Sequence, residues 1–259
     1  MATLSIEANP RIRYRVAHRD EHLLVVEKPA RLATTPGKGH DADTLLNGLF
    51  HEFGPQLQNV GRSRDFGLMH RLDRMTSGLL IVALSPRVYD AMADQFRERR
   101  IAKFYWAITK RAPAKVPTGA ISKPILEEQK AKKLARIGSG GKPAFTAYRL
   151  LEANHLAALL ECRALTGRLH QVRVHLASIG CPILGDDLYA NPAVASAASR
   201  LMLHAHRLVL EHPETGAQLD VRAPLPKDIA ATLKRVGLAK PGEPGSQQGH
   251  QVGGDAVGP

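Results

Sequence analysis

Cysteine, aromatic residues and long apolar runs are all scarce in this 259-residue sequence. It has two cysteines, Cys162 and Cys181, and 5% aromatic residues. Their spacing matches neither a disulfide framework nor a zinc site, which argues against an oxidising compartment. No apolar run reaches the roughly 20 residues of a membrane helix, and no signal peptide opens the chain. We therefore expect a cytoplasmic protein without a membrane partner.

Acidic residues are also few relative to basic ones. The chain has 24 Asp and Glu against 36 Lys and Arg, a formal net charge of +12. Twelve basic and three acidic residues fall within 97–136. This concentration favours a polyanionic partner, most simply nucleic acid, over the alternative of a solvated basic face.

The hydrophobic pattern predicts more strands than helices, and hence one α+β unit. Strands are expected at 22–29, 78–84, 101–109, 145–151, 156–162, 206–210 and 218–222. Helices are expected after an Asp43 cap, after Ser85 and Pro86, and at 168–179 and 226–236. Segment 113–143 should add one or two strands and an exposed basic loop. We assign 1–13 to an extended lead-in, 14–239 to the catalytic domain and 240–259, with nine Gly or Pro, to a disordered tail.

Three polar clusters could carry chemistry. In 70–78, arginines flank Asp73, which keeps a carboxylate ionised as a nucleophile or base, although an aspartate here could also simply anchor a turn. In 166–175, Arg173 lies at the flank of the apolar stripe and could reach a carboxylate or remain at the surface. On the strand at 101–109, Lys103 and Tyr105 share a face that suits a nucleotide, unless Tyr105 is core.

Taken together, these clusters resemble the RluA-type pseudouridine synthases. The similarity runs from about Tyr14 to Pro226 and leaves no room for an amino-terminal S4-like module, so a short form is expected. The matching segments are His70-Arg-Leu-Asp73-x-x-Thr-Ser-Gly78, Glu27-Lys-Pro29, Lys103-x-Tyr105-x-Ala107, Thr166-Gly-Arg-x-His-Gln-x-Arg173 with His175, Pro182–Asp186 with Tyr189, and Leu201–Ala205.

The resemblance implies a fold and an activity. It implies a mixed, largely antiparallel sheet with flanking helices and a central catalytic cleft. The implied enzyme isomerises uridine to pseudouridine in large-subunit ribosomal RNA, transfer RNA or both, as a monomer and without cofactor or metal. The substrate would be a structured stem-loop from which the target uridine is flipped out.

The resemblance also implies roles for individual residues. Asp73 would be the catalytic carboxylate, Tyr105 would stack on the uracil, and Arg173 would pair with Asp73. The other residues would contact the RNA: Arg71 would enter the vacated base stack, Leu203 would line the uracil pocket, Lys103 would hold the tyrosine or a phosphate, and His70 would belong to the substrate-binding set. Independently of the resemblance, the basic stretch 97–136 predicts that Lys130, Lys132 and Lys133 contact the RNA backbone.

Two alternatives come from other classes. A metal-dependent phosphoesterase would use His70, Asp73, His170, His175, Asp186, Asp187, His204 and His206, but the spacings match no standard site and neighbouring arginines repel a divalent cation. A non-catalytic RNA-binding or chaperone protein on the same fold should lack the aspartate or the tyrosine, and both are present.

Overall fold

The computed structural model describes residues 5–129 and 133–242, and eleven strands lie in this part of the chain. They are β1 (Arg15–Arg19), β2 (Leu23–Lys28), β3 (Ser77–Ala83), β4 (Ala102–Thr109), β5 (Thr118–Ser122), β6 (Ile125–Gln129), β7 (Lys133–Ile137), β8 (Phe145–Ala153), β9 (Ala158–Ala164), β10 (Leu203–Glu211) and β11 (Gln218–Arg222). The predicted tail lies outside the described residues beyond residue 242.

Five α-helices and one 3₁₀ segment, Arg62–Gly67, accompany the strands in the described residues. The helices are α1 (Leu45–Val60), α2 (Pro86–Arg97), α3 (Gln171–Ser178), α4 (Pro192–Ala195) and α5 (Lys227–Arg235). Within the described ranges, none of them is both long enough and apolar enough to cross a membrane.

Nine strands form one sheet, in the order β1-β2-β3-β10-β4-β9-β8-β5 with β11 on β10. Neighbours are antiparallel except β3 and β10, which pair in parallel at Ser77 with His204 and at Gly78 with Ala205. Gly78 has a φ of 121°, and a Cβ on it would lie 2.2 Å from the Ala205 carbonyl oxygen. Only glycine permits this approach, which joins the two halves of the sheet. The predicted mixed, largely antiparallel fold is confirmed.

Helices cover the sheet with their apolar faces. Leu49 and Phe50 of α1 pack against Leu24 of β2 and Leu80 of β3. Met92 of α2 belongs to a separate buried cluster, which contains the β2 and β3 residues on the opposite face of the sheet. The α3 and α5 helices bury Val172, Leu176, Ile229 and Leu233 with residues of β4, β8 and β9. Each fully buried aliphatic side chain contributes about 1.5–3 kcal/mol to stability.

Two predicted helix starts need correction. Thr44, not Asp43, is the N-cap of α1: its hydroxyl accepts from the Asn47 amide while the Asn47 side chain accepts from the Thr44 amide. Asp43 instead pairs with His40 at 2.9 Å. The predicted helix at 168–179 begins only at Gln171, because His170 has a left-handed φ of 50°.

Segment 113–143 contains one more strand than predicted. β5 joins the edge of the large sheet, and β6 pairs with β7 in a separate two-stranded hairpin. Ile125 and Ala135 of this β6–β7 hairpin pack with Val174 of α3. The hairpin is therefore attached to the helix that carries Arg173.

Candidate active site

Asp73 lies in the turn that leads into β3. Its backbone carbonyl accepts from the Thr76 amide at 3.0 Å. The Thr34 hydroxyl donates to the preceding carbonyl, that of Leu72, at 2.8 Å. These bonds hold the turn, while the Asp73 side chain remains 24% exposed. The Asp73 carboxylate is therefore partly accessible to solvent while its backbone is anchored.

Arg173 of α3 connects Asp73 to a second carboxylate. Its Nη1 donates to Asp73 Oδ2 at 3.2 Å, and its Nε and Nη2 donate to the two Asp186 oxygens at 2.9 and 2.7 Å. The Arg173 side chain is only 5% exposed. Because a buried guanidinium needs compensation, the two carboxylates account for its position.

Asp186 is held by its own turn as well as by Arg173. Its Oδ1 also accepts from the amides of Leu188 and Tyr189, at 3.0 and 3.1 Å. Burial raises the pKa of Asp186, but the hydrogen bonds and charge of Arg173 outweigh burial and lower it. In turn, burial would lower the pKa of Arg173, and Asp186 raises it overall. The pair is therefore ionised, and the Nη1 group of Arg173 remains available to Asp73.

Tyr105 and Leu203 share one face of the sheet. Tyr105 of β4 pairs with Ala205, and Leu203 pairs with Ala107. Burial, and then the nearby Asp73 charge, raise the pKa of Tyr105. The phenol is therefore protonated at neutral pH and close enough to Asp73 to sense its charge. Leu203 is buried at 4% exposure beside this position.

Lys103 and His70 form a second cluster around Phe96. The Lys103 ammonium lies 5.2 Å from the Phe96 ring centroid, and the His70 ring lies 5.6 Å from it. His70 Nε2 accepts from the Ile81 amide at 3.2 Å. Burial lowers the pKa of Lys103 to about 8, and burial followed by the Lys103 charge lowers that of His70 to about 3. The His70 imidazole is therefore neutral and accepts a hydrogen bond from the backbone of β3.

The remaining predicted residues concern RNA contact. The Arg71 side chain is exposed, two residues before Asp73. Lys130 and Lys132 lie outside the described residues, and Lys133 is described only by its backbone, as the first residue of β7.

Sequence reasoning gave Lys28 no role in the site, although the segment that contains it carried the family resemblance. Its side chain is fully buried, and its Nζ donates to the carbonyls of Pro29, Leu32 and Arg74 at 2.9, 2.7 and 3.3 Å. Burial lowers the pKa of Lys28 to about 7, while the charge of Asp73 opposes this shift. Lys28 thus cross-links the turn that carries Asp73.

Comparisons with known proteins identify relatives of this chain. A family model described as RNA pseudouridylate synthase matches residues 22–178. The chain belongs to this family. Ribosomal large subunit pseudouridine synthase D of Nitrosomonas europaea is 39% identical over 229 residues, which are 86% of this chain, and the chain spans 65% of that protein's length. The protein of the same name from Zymomonas mobilis is 37% identical over 228 residues, covering 85% of this chain and 71% of that protein.

A solved structure also places this chain in the pseudouridylate synthase family. Human RNA pseudouridylate synthase domain containing 1 matches with a TM-score of 0.68 and 28% identity, over 88% of this chain and 90% of that one. The resemblance derived from the motifs is therefore confirmed at the level of family and fold. Enzymes named pseudouridine synthases are isomerases.

The donor set of the phosphoesterase alternative is not assembled. In residues 5–129 and 133–242, no group of three or more His, Cys, Asp or Glu side chains is placed to hold a metal ion. His175 bonds to the Thr146 hydroxyl and the Lys123 carbonyl, both at 2.9 Å. His204 bonds to the Ser77 hydroxyl at 2.9 Å, and His206 stacks on Trp106 at 3.9 Å.

Proposed function

We propose that this protein is a pseudouridine synthase that acts in the cytoplasm on a uridine of large-subunit ribosomal RNA, with transfer RNA as the other candidate substrate. The observation that carries the proposal is the accessible Asp73 carboxylate, hydrogen-bonded by buried Arg173 and close to the Tyr105 phenol. The names of the two bacterial relatives favour ribosomal RNA over transfer RNA.

The reaction needs no oxidant or cofactor. The bond between C1′ and N1 breaks, the uracil turns, and a bond forms between C1′ and C5. The hydrogen on C5 leaves as a proton, and N1 gains one from solvent. Asp73 serves this exchange as a nucleophile or a base, and Tyr105 stacks on the uracil while it turns.

Arg173 places a cation against the partly buried Asp73 carboxylate. A cation compensates the hydration that a carboxylate loses on burial, and here the cation is itself fixed by Asp186. The exposed Arg71 enters the base stack when the uridine is flipped out, which compensates part of an unstacking cost of a few kcal/mol. The basic residues of 97–136 bind phosphates.

The test follows the hydrogen on C5. Ribosomal and transfer RNA from cells that lack the gene, labelled with tritium at C5 of uridine, should release tritium with the wild-type protein. The release should stop at one equivalent per target site, and pseudouridine mapping should locate that site. Asp73→Asn has nearly the same shape and should bind this RNA without releasing tritium.

Each result has a definite meaning. Tritium release by Asp73→Asn at the wild-type rate would refute the catalytic role of Asp73. Tight RNA binding by the wild-type protein, without release from any RNA of these cells, would favour the non-catalytic RNA-binding alternative. Release from transfer RNA alone would exclude the ribosomal substrate.

A further inference from the structure

The side chain of His170 lies between Asp73 and the β6–β7 hairpin. Its Nε2 is 3.7 Å from Asp73 Oδ1, the carboxylate oxygen that Arg173 does not contact. Its Nδ1 is 2.7 Å from the Tyr189 hydroxyl. The Tyr189 hydroxyl also accepts from the Ala135 amide of β7 at 2.9 Å. One chain of polar contacts therefore runs from the hairpin to the carboxylate.

The contacts of Tyr189 determine which nitrogen of His170 carries the hydrogen. The hydroxyl oxygen already accepts from Ala135, and in the described part of the chain its only other hydrogen-bond partner is His170 Nδ1. If Nδ1 were protonated, both His170 and Ala135 would donate to the hydroxyl oxygen, and the tyrosine O–H would have no acceptor among the described residues. Donation from the Tyr189 O–H to Nδ1 satisfies both groups, and it leaves the hydrogen of the neutral imidazole on Nε2.

The backbone and the neighbouring rings hold this imidazole in place. His170 has a φ of 50°, which is uncommon for a residue other than glycine and is often found at functional sites. The Tyr189 ring contacts His170 edge-on at 5.6 Å and lies 5.2 Å from the Arg173 guanidinium. Burial lowers the pKa of His170 despite the Asp73 charge, which agrees with a neutral ring.

We propose that His170 is a positioning residue for Asp73, whose Nε2–H is directed at Oδ1 because Tyr189 holds the opposite nitrogen. Arg173 and His170 then hold the two carboxylate oxygens separately and fix the plane of the carboxyl group. The distance of 3.7 Å is longer than a hydrogen bond. Contacts of this kind often shorten when substrate binds.

The contact of Tyr189 with the β6–β7 hairpin provides a way for bound RNA to shorten the distance between His170 and Asp73. Ala135 belongs to β7, and the apolar side of the β6–β7 hairpin packs on α3. RNA that presses the hairpin onto α3 acts on the Tyr189 hydroxyl through the Ala135 amide. The effect of His170 on the reaction rate rests on the proposed function, whereas the tautomer of His170 does not depend on it.

The tautomer is tested on the free protein by nitrogen-15 NMR of the imidazoles. The resonances that vanish in His170→Gln belong to His170. The expected pattern in the wild type is a neutral ring with hydrogen on Nε2. In Tyr189→Phe, which keeps the ring and loses the hydroxyl, the pattern should become a mixture of the two tautomers. A ring with hydrogen on Nδ1 in the wild type would overturn the proposal, whatever the activity.

The kinetic test compares two substitutions of His170, one that removes the N–H group and one that replaces it. Both place a non-glycine residue on the same left-handed backbone. His170→Ala removes the N–H, and we expect kcat to fall by roughly tenfold to a hundredfold, with KM for RNA within about twofold. His170→Gln can present an amide N–H near the former Nε2 position and should recover most of kcat. His155→Ala, at an exposed turn, is the matched control and should leave both constants unchanged.

The outcomes separate the two proposals. If the wild type releases tritium and His170→Ala has the same kcat, the positioning role is refuted. Equal losses in the alanine and glutamine variants would also refute it, because only the structure around residue 170 would then matter. If the wild type releases no tritium, the proposed function fails, and the NMR result alone decides the Tyr189 and His170 arrangement.

Discussion

Asp186→Asn tests the ion pair on which the candidate site is built. Asparagine keeps the shape of the side chain and one carbonyl oxygen, but its amide nitrogen cannot accept from Arg173 Nε, which now donates at 2.9 Å. Removing one partner of a buried ion pair costs about 3–5 kcal/mol. Because Asp73 and Asp187 remain 3.2 and 3.5 Å from the guanidinium, we expect the lower end, about 3 kcal/mol.

Urea unfolding followed by circular dichroism measures this cost. Asp187→Asn is the matched control, since Asp187 is 71% exposed and exposed ion pairs contribute about 0–1 kcal/mol. The charge and hydrogen bonds of Arg173 hold the folded-state pKa of Asp186 below the ordinary value of 3.8. Its stabilising contribution is therefore present above that value and is lost as the pH falls through the folded-state pKa. The difference between wild type and Asp186→Asn should shrink over the same range, and equal stability of the two asparagine variants at pH 7 would refute the reasoning.

Three further predictions concern other parts of the chain. Gly78→Ala should cost at least about 3 kcal/mol of unfolding free energy, because its Cβ would meet the Ala205 carbonyl at 2.2 Å. Gly180→Ala, with nothing within 4 Å, should cost about 1 kcal/mol, and similar melting temperatures would contradict the assigned contact. Burial lowers the pKa of Lys28 to about 7 in the folded chain, against its ordinary 10.5, so the unfolded chain binds more protons between these pH values. Wild-type stability should rise with pH there by at most about 5 kcal/mol, and Lys28→Met should lack the rise; parallel pH curves would disprove it. Neutralising Lys130, Lys132 and Lys133 should weaken RNA binding and reduce the salt slope by about 1 per contacting lysine, whereas an unchanged slope would mean that these lysines do not contact phosphates.

Short-range signals predicted most of the regular elements. The apolar runs became β2 and β3, and Ser85 with Pro86 began α2 as expected. These signals are local because capping, strand alternation and proline geometry involve residues only a few positions apart.

The errors arose where distant residues decide the local conformation. Gln171 begins α3 because its side chain accepts from the Thr166 hydroxyl at 2.7 Å and donates to the Phe145 carbonyl at 2.8 Å. Likewise, the segments that form β6 and β7 show no strong alternation of apolar and polar residues, although they pair in the structure. Their hairpin packs through Ala135 on Val174 of α3. Neither contact follows from the hydrophobic periodicity of the chain.

The sequence by itself determined the family, the basic charge and the candidate catalytic groups Asp73, Tyr105 and Arg173, since motifs and charges are readable one segment at a time. Only the tertiary structure showed that Asp186 accepts from two nitrogens of the Arg173 guanidinium, that Lys28 binds the turn of Asp73, and that His170 faces the Asp73 oxygen that does not accept from Arg173. Asp73 and Arg173 are 100 residues apart. Whether two such charges meet depends on burial, on which atoms remain unpaired and on the sheet order, and these are properties of the folded chain alone.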